Sequence, residues 1–223
     1  MSCRTVILIS GSGSNLQAFI DQLHPEQANI VAVISNRADA YGLERAARAG
    51  IPTAVLSHRD YPDRASYDQA LAALIDTYEP ELVVLAGFMR ILTSGFVSRY
   101  AGRLLNIHPS LLPKYTGLHT HQRALEAGDS EHGATVHFVT EELDGGPAIM
   151  QSHVCVLAGD TVETLSERVR QTEHSLYPLA AGLYISGRLR LLNGRAYLDG
   201  TPLAPSGLRL DQFETDVRGH CND

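Results

Sequence analysis

Along the first half of the chain, short runs of apolar and β-branched residues alternate with stretches whose apolar positions recur every three or four residues. Residues 6–9, 30–34, 53–56, 82–86 and 103–108 read as strands. The run 82–86 is wholly apolar, as expected of a strand buried on both faces. Between them, residues 15–20, 42–49 and 64–78 read as helices. In the last of these, Tyr67, Leu71, Leu74, Ile75 and Tyr78 form one stripe, and Pro80 stops it. Gly50 fits the C-cap of the second. Strands alternating with helices predict an α/β fold with a doubly wound, mostly parallel sheet.

The pattern changes after Pro113. Residues 114–121 are polar and loop-like, and 121–127 read as a short helix. Residues 134–139 and 148–156 read as strands joined by the turn Leu143-Asp144-Gly145-Gly146. Asp160 or Thr161 caps a long helix to about Ser186, in which Pro178 and Gly182 predict an irregularity or a kink. Residues 189–192 and 195–198 flank Asn193-Gly194, the signature of a hairpin with a type I′ turn. The polar residues 211–223 read as a disordered tail.

Composition narrows the function class. The 223 residues suit a single α/β domain over 1–210, with a substantial core. The net charge of -7 argues against a nucleic-acid partner. No apolar stretch approaches the ~18 residues that span a bilayer, and no signal peptide is evident. Cys3, Cys155 and Cys221 form no CxxC pair, so zinc-ribbon and thioredoxin readings fail and a reducing, cytoplasmic location is expected. Lys114 is the only lysine, so no Walker-type phosphate lysine is present. His119-Thr120-His121 has no third ligand at a familiar zinc spacing, and no metal is expected.

Three candidate segments fall at the carboxyl ends of predicted strands, where open α/β sheets bind ligands. The first, Gly11-Ser12-Gly13-Ser14-Asn15, enters a helix but has Leu16 where a dinucleotide fingerprint has its third glycine. A helix N-terminus there suits a single phosphate; the alternative is a tight turn with Ser14 or Asn15 capping the helix. The second is 87–90. The third is Asn106-Ile107-His108-Pro109, where residues i and i+2 of a strand face one side. An amide donor and an imidazole that can carry charge would converge on an oxygen that becomes negative in acyl transfer. The alternative is a structural Asn and a His satisfied by backbone. Asp144 would favour a charged His108 if it lay within ~4–6 Å; otherwise it is a turn aspartate. Arg170 and Glu173, one turn apart on the long helix, read equally as a surface ion pair.

Five stretches carry a resemblance: 9–17 (ISGSGSNLQ), 35–46 (SNRADAYGLERA), 85–92 (LAGFMRIL), 104–115 (LLNIHPSLLPKY) and 137–147 (HFVTEELDGGP). Over roughly residues 5–200 the chain resembles the folate-dependent glycinamide ribonucleotide transformylase (phosphoribosylglycinamide formyltransferase) family. The NIHPSLLP and LDGG pieces of the fourth and fifth stretches are shared by wider formyltetrahydrofolate enzymes, whereas the Gly-Ser-Asn turn and RVRQTEH at 168–174 point to the ribonucleotide-using branch. The resemblance implies a Rossmann-like formyltransferase fold, with a phosphate and ribonucleotide half over about 1–105 and a folate and catalytic half over about 106–210. It implies that Asn106, His108 and Asp144 are catalytic. Gly13, Ser14, Asn15, Arg170 and Glu173 would bind glycinamide ribonucleotide. Arg64, Met89, Arg90, Ile91, Leu92, Asn106, Thr140, Glu141, Glu142, Leu143 and Asp144 would bind 10-formyltetrahydrofolate as co-substrate. Thr116 stands where bacterial members have Pro. The implied partners are these two small molecules, with no nucleic acid or membrane, and the implied state is a monomer or weak homodimer.

Three competing readings make different demands. A formyltetrahydrofolate deformylase usually carries an N-terminal regulatory domain, yet the first strand begins within ten residues of Met1. A methionyl-tRNA formyltransferase needs a C-terminal RNA-binding domain and a basic surface. A non-catalytic phosphoribosyl-binding module leaves the 106–113 run unexplained.

Overall fold

The structure, a computed structural model, describes residues 2–213. In chain order its strands and helices are β1 (Cys3–Ile9), α1 (Ser14–Gln22), β2 (Ala28–Ser35), α2 (Tyr41–Arg48), β3 (Thr53–Val55), α3 (Arg64–Asp76), β4 (Leu82–Leu85), α4 (Ser94–Arg99), β5 (Leu104–His108) and α5 (Thr120–Glu126). There follow β6 (Glu131–Phe138), β7 (Ala148–Cys155), α6 (Val162–Ile185), β8 (Leu189–Leu192), β9 (Arg195–Leu198), β10 (Thr201–Pro202) and β11 (Leu208–Arg209). One sheet runs β11-β7-β6-β5-β4-β1-β2-β3; β8, β9 and β10 form a separate antiparallel sheet. Pairing is parallel from β5 through β4, β1 and β2 to β3, and antiparallel at β5–β6 and β6–β7. The mostly parallel doubly wound sheet is therefore observed, with an antiparallel excursion that begins at β5.

The period of two along a strand decides which helix each side chain meets. Ile7 and Ile9 of β1 pack with Leu16, Phe19 and Tyr177, from α1 and α6. Val6 and Leu8 pack on the other face with Tyr67, Leu71 and Tyr100, from α3 and the end of α4. Because β1, β4 and β5 are neighbours, their carboxyl ends open side by side, and the three candidate segments share that edge.

Several details differ from the reading of the sequence. The six-residue α4 is too short to show a period, and β10 and β11 pair over two residues each, so neither announces itself. The long helix is continuous through Pro178. Pro178 has no N–H for the carbonyl of His174. Gln22 Nε2 of α1 donates to that carbonyl at 2.8 Å, so the interruption becomes a tie between helices. Thr161, not Asp160, is the N-cap, and Asp160 instead pairs with Arg168 at 2.7 Å. Residues 210–213 turn helically; the rest of the expected tail, 214–223, lies outside the described residues. Among the described residues, no helix is long and apolar enough to cross a membrane.

Candidate active site

The strand register fixes what stands beside each reactive side chain. On β6, His137 lies opposite Asn106 and Thr135 opposite His108. Past His108 the chain leaves the sheet, and a buried polar cluster ties it down. Thr135 Oγ1 donates to Ser110 O (2.7 Å) and accepts from Leu112 N (3.1 Å) and Gln151 Nε2 (3.0 Å). Gln151 Nε2 also donates to Leu112 O at 2.9 Å. Such a cluster rigidifies only when each group is satisfied, and these are. It delivers the carbonyl of Tyr115, whose φ is 57°, to 2.8 Å from His108 Nε2.

Asp144 comes from the β6–β7 turn, also at a left-handed φ of 52°. A Cβ at Gly146 would lie 1.7 Å from Phe138 O, so only glycine lets this turn close onto the end of β6. The closed turn puts Asp144 Oδ2 3.4 Å from His108 Nδ1, with both side chains under one-tenth exposed. The same oxygen accepts from Gly117 N at 2.8 Å. Tyr115 O accepts only, so Nε2 carries hydrogen. Nδ1 faces a carboxylate, which also only accepts. The pocket is therefore electrostatically suited to an imidazolium. The distance that no sequence reports is short.

The Gly-rich turn is built by contact between two glycines. Gly13, with φ 69°, is the N-cap of α1, and no side chain caps the helix. Ser14 and Asn15 thus do not cap it, and the first-turn amides are left for a ligand. A Cβ on Gly13 would lie 2.6 Å from Gly42 Cα. Gly42 N donates to Gly11 O at 3.0 Å, and Arg45 Nε donates to Ser12 O at 2.9 Å. Neither Gly42 nor Arg45 stands out in the sequence by itself. Gly13→Ala should destabilise the fold on the order of 3 kcal/mol, from αL strain plus overpacking, with a lowered denaturant midpoint as the readout.

Asn15 turns its amide to Glu173, Nδ2 to Oε2 at 2.9 Å, across the division expected near residue 105. Asn15 Oδ1 is buried without a partner among the described residues. Burial raises the Glu173 carboxyl pKa, against the lowering effects of Asn15 and Arg170. Arg170 does not pair with Glu173; it binds Glu167 on the exposed face of α6.

The segments 89–92 and 140–144 flank α4, and Ser98 Oγ joins α4 to Glu141 Oε1 at 3.0 Å. The first is fixed by Met89 N on Ser10 Oγ (2.9 Å) and by Thr93 N on the buried Asp68 (2.6 Å). Arg90 stacks over Tyr67, 5.3 Å from the ring centroid, with its Nε buried and unpartnered among the described residues. Arg64 is exposed one turn before Tyr67 on α3. Met89, Ile91 and Leu143 expose apolar surface around these segments.

His119 and His121 diverge. His119 is the N-cap of α5 and exposed, whereas His121 Nδ1 lies 3.1 Å from Nε2 of the buried His132. Burial, then the neighbouring His121, pushes His132 down to about 4; burial also lowers His121. The folded pair therefore resists a proton that the unfolded chain accepts near pH ~6.5. Stability should be flat above that value and fall as pH drops toward about 4, losing ~2 kcal/mol by about pH 5. Thermal melts across this range test it, and His132→Gln should flatten the dependence.

Comparison with known proteins identifies the family. Residues 3–181 match the family model described as Formyl transferase. The chain is 56% identical over 209 residues to phosphoribosylglycinamide formyltransferase of Escherichia coli (strain K12), covering 93% of this chain and 99% of that one. It is 49% identical over 190 residues to the trifunctional purine biosynthetic protein adenosine-3 of Homo sapiens, covering 84% of this chain and 19% of that protein. The structure of the phosphoribosylglycinamide formyltransferase from Coxiella burnetii superposes with a TM-score of 0.90 at 52% identity, covering 94% of this chain and 99% of that one. With most of its length matched by the family model and nearly all of it by full-length relatives, the chain belongs to the formyl transferase family.

Proposed function

We propose that this chain transfers the formyl group of 10-formyltetrahydrofolate to the amine of glycinamide ribonucleotide, a step of purine biosynthesis, in the cytoplasm. The observation that carries the reading is the approach of Asp144 to His108, 3.4 Å apart, two positions along β5 from Asn106. The amine attacks the formyl carbon, and the formyl oxygen becomes negative. Asn106 Nδ2–H and the imidazolium of His108 donate to that oxygen. The His108 donor is the Nε2–H now held by Tyr115 O, so that carbonyl gives way as the oxyanion replaces it. As the tetrahedral intermediate collapses, the bond from the formyl carbon to N10 breaks, and the proton lost by the amine reaches N10 of the folate, through His108 or a water. The chemistry calls for no metal and no covalent enzyme intermediate. Much of the rate comes from holding two substrates in register.

Binding follows from the surrounding groups. The α1 N-terminus at Gly13, Ser14 and Asn15 takes the phosphate, with Arg45 adding positive charge beside it. Glu173 and the unpartnered Asn15 Oδ1 accept from ribose hydroxyls. Arg170, exposed one turn from Glu173, adds positive charge at the rim. Arg64, one turn before Tyr67 on α3, and Arg90, stacked over the Tyr67 ring, suit the carboxylates of the folate tail. Met89, Ile91, Leu92 and the turn Thr140, Glu141, Glu142, Leu143 and Asp144 form the walls for its flat ring. The protein works as a monomer or weak homodimer, without nucleic acid or membrane.

Incubation with 10-formyltetrahydrofolate, with and without glycinamide ribonucleotide, tests the proposal. Consumption that requires the ribonucleotide is expected. Equal consumption in both would make the chain a hydrolase, and no consumption would leave a binding protein.

A further inference from the structure

We propose that His137 is a positioning residue for formyl transfer: from β6 it accepts a hydrogen bond from Asn106 and so turns the Asn106 NH₂ group toward the reacting oxygen. The inference rests on the oxyanion role given above to Asn106. His137 is 2% exposed and stands directly opposite Asn106 in the β5–β6 register. Its two ring nitrogens have different partners. Nδ1 lies 2.9 Å from Phe138 O, and Nε2 lies 3.1 Å from Asn106 Nδ2. A carbonyl only accepts, so Nδ1 carries the hydrogen, and in a neutral ring Nε2 keeps its lone pair.

Three features keep the ring in that form. Burial lowers its affinity for a second proton, and the charge of His108 works in the same direction, against the Phe138 bond and Asp144. The register of β6 on β7 shifts between Val136 and His137, a local irregularity of the kind that re-aims side chains. The Phe138 carbonyl that fixes the tautomer is also the atom against which Gly146 closes, so one turn sets both Asp144 and the His137 tautomer.

The consequence for Asn106 is directional. An amide's oxygen and nitrogen are nearly the same shape, and only its partners decide which way it points. Nε2 as an acceptor demands the NH₂ end, leaving the second Nδ2–H as the donor for an oxyanion. A protonated Nε2 would draw Oδ1 instead and turn the donor away. Among the described residues, no other hydrogen bond holds the Asn106 side chain.

The test is a double-mutant cycle read with kcat and both KM values. His137→Phe keeps a ring but removes the acceptor. It should lower kcat by up to about 10²-fold, the scale of a misplaced group, with both KM values little changed. His137→Gln, which restores an acceptor at the Nε2 position, should recover part of the loss. In an Asn106→Ala background, His137→Phe should cost nothing further. Additive losses, or a loss confined to KM, would overturn the role of His137 alone. A near-normal kcat for Asn106→Ala by itself would overturn the underlying oxyanion role. Nitrogen NMR of the unaltered, uniformly ¹⁵N-labelled protein decides the matter even if His137→Phe does not fold. An unprotonated Nε2 coupled across the hydrogen bond to Asn106 Nδ2 supports the proposal, and a protonated Nε2 at neutral pH refutes it.

Discussion

Asn106→Ala should lower kcat by about 10²–10³-fold, the usual cost of one oxyanion donor. The KM for the phosphoribosyl substrate should hardly move, because that substrate is anchored elsewhere. Asn106 sits at the end of β5, whereas the turn proposed to hold the phosphate is built by Gly13, Gly42 and Arg45, and the proposed ribose side by Asn15 and Glu173. The variant should still fold. Among the described residues its side chain makes one hydrogen bond, to His137, and losing it leaves a buried acceptor unsatisfied at about 1–3 kcal/mol. A thermal melt measures that term separately from the rate. A kcat within a few-fold of the parent, in a protein that melts slightly earlier, would place the negative oxygen on other donors.

The same residue shows how far local pattern reaches. That Asn106 and His108 share a face follows from strand geometry, and the apolar runs around them are long enough to be read as strands. The ends of β1, β4 and β5 lie side by side because alternating strands and helices force a parallel sheet. What local pattern does not carry is the partner across the sheet. His137 reads as an ordinary strand residue until β6 is known to run antiparallel to β5 with His137 opposite Asn106. Gly42 is equally silent, since its need for a missing side chain arises from Ile9 Cδ1 and Gly13 Cα, which approach it only in the fold. The six-residue α4 falls below the length at which periodicity means anything. His119 and His121 look paired in sequence and separate in space, because helical residues two apart face different directions. The role proposed for Glu173 is one that the resemblance to formyltransferases implies. The structure adds that its partner is Asn15 and not the nearby Arg170.

Asp144 has two jobs in the structure, and two substitutions separate them. Its Oδ2 faces His108 Nδ1 and also accepts from Gly117 N, so it both supplies a negative charge and ties down the loop that carries Tyr115. Asp144→Asn removes the charge but keeps an oxygen for Gly117. That same oxygen then faces Nδ1 without a charge, which favours a neutral imidazole over an imidazolium. That ring is a weaker donor to an oxyanion. The expected loss in kcat is on the order of 10²–10⁴-fold, the range for a positioned acid–base group. Asp144→Ala loses the charge and the tie together. Equal losses in the two variants mean that the charge dominates. If Asn keeps nearly full activity and only Ala is impaired, the carboxylate serves to hold the loop, and the cationic His108 must be abandoned. Hydrogen exchange at Gly117 supplies the control: protection should persist in Asp144→Asn and disappear in Asp144→Ala, so that a slow Asn variant with an intact tie isolates the charge as the cause.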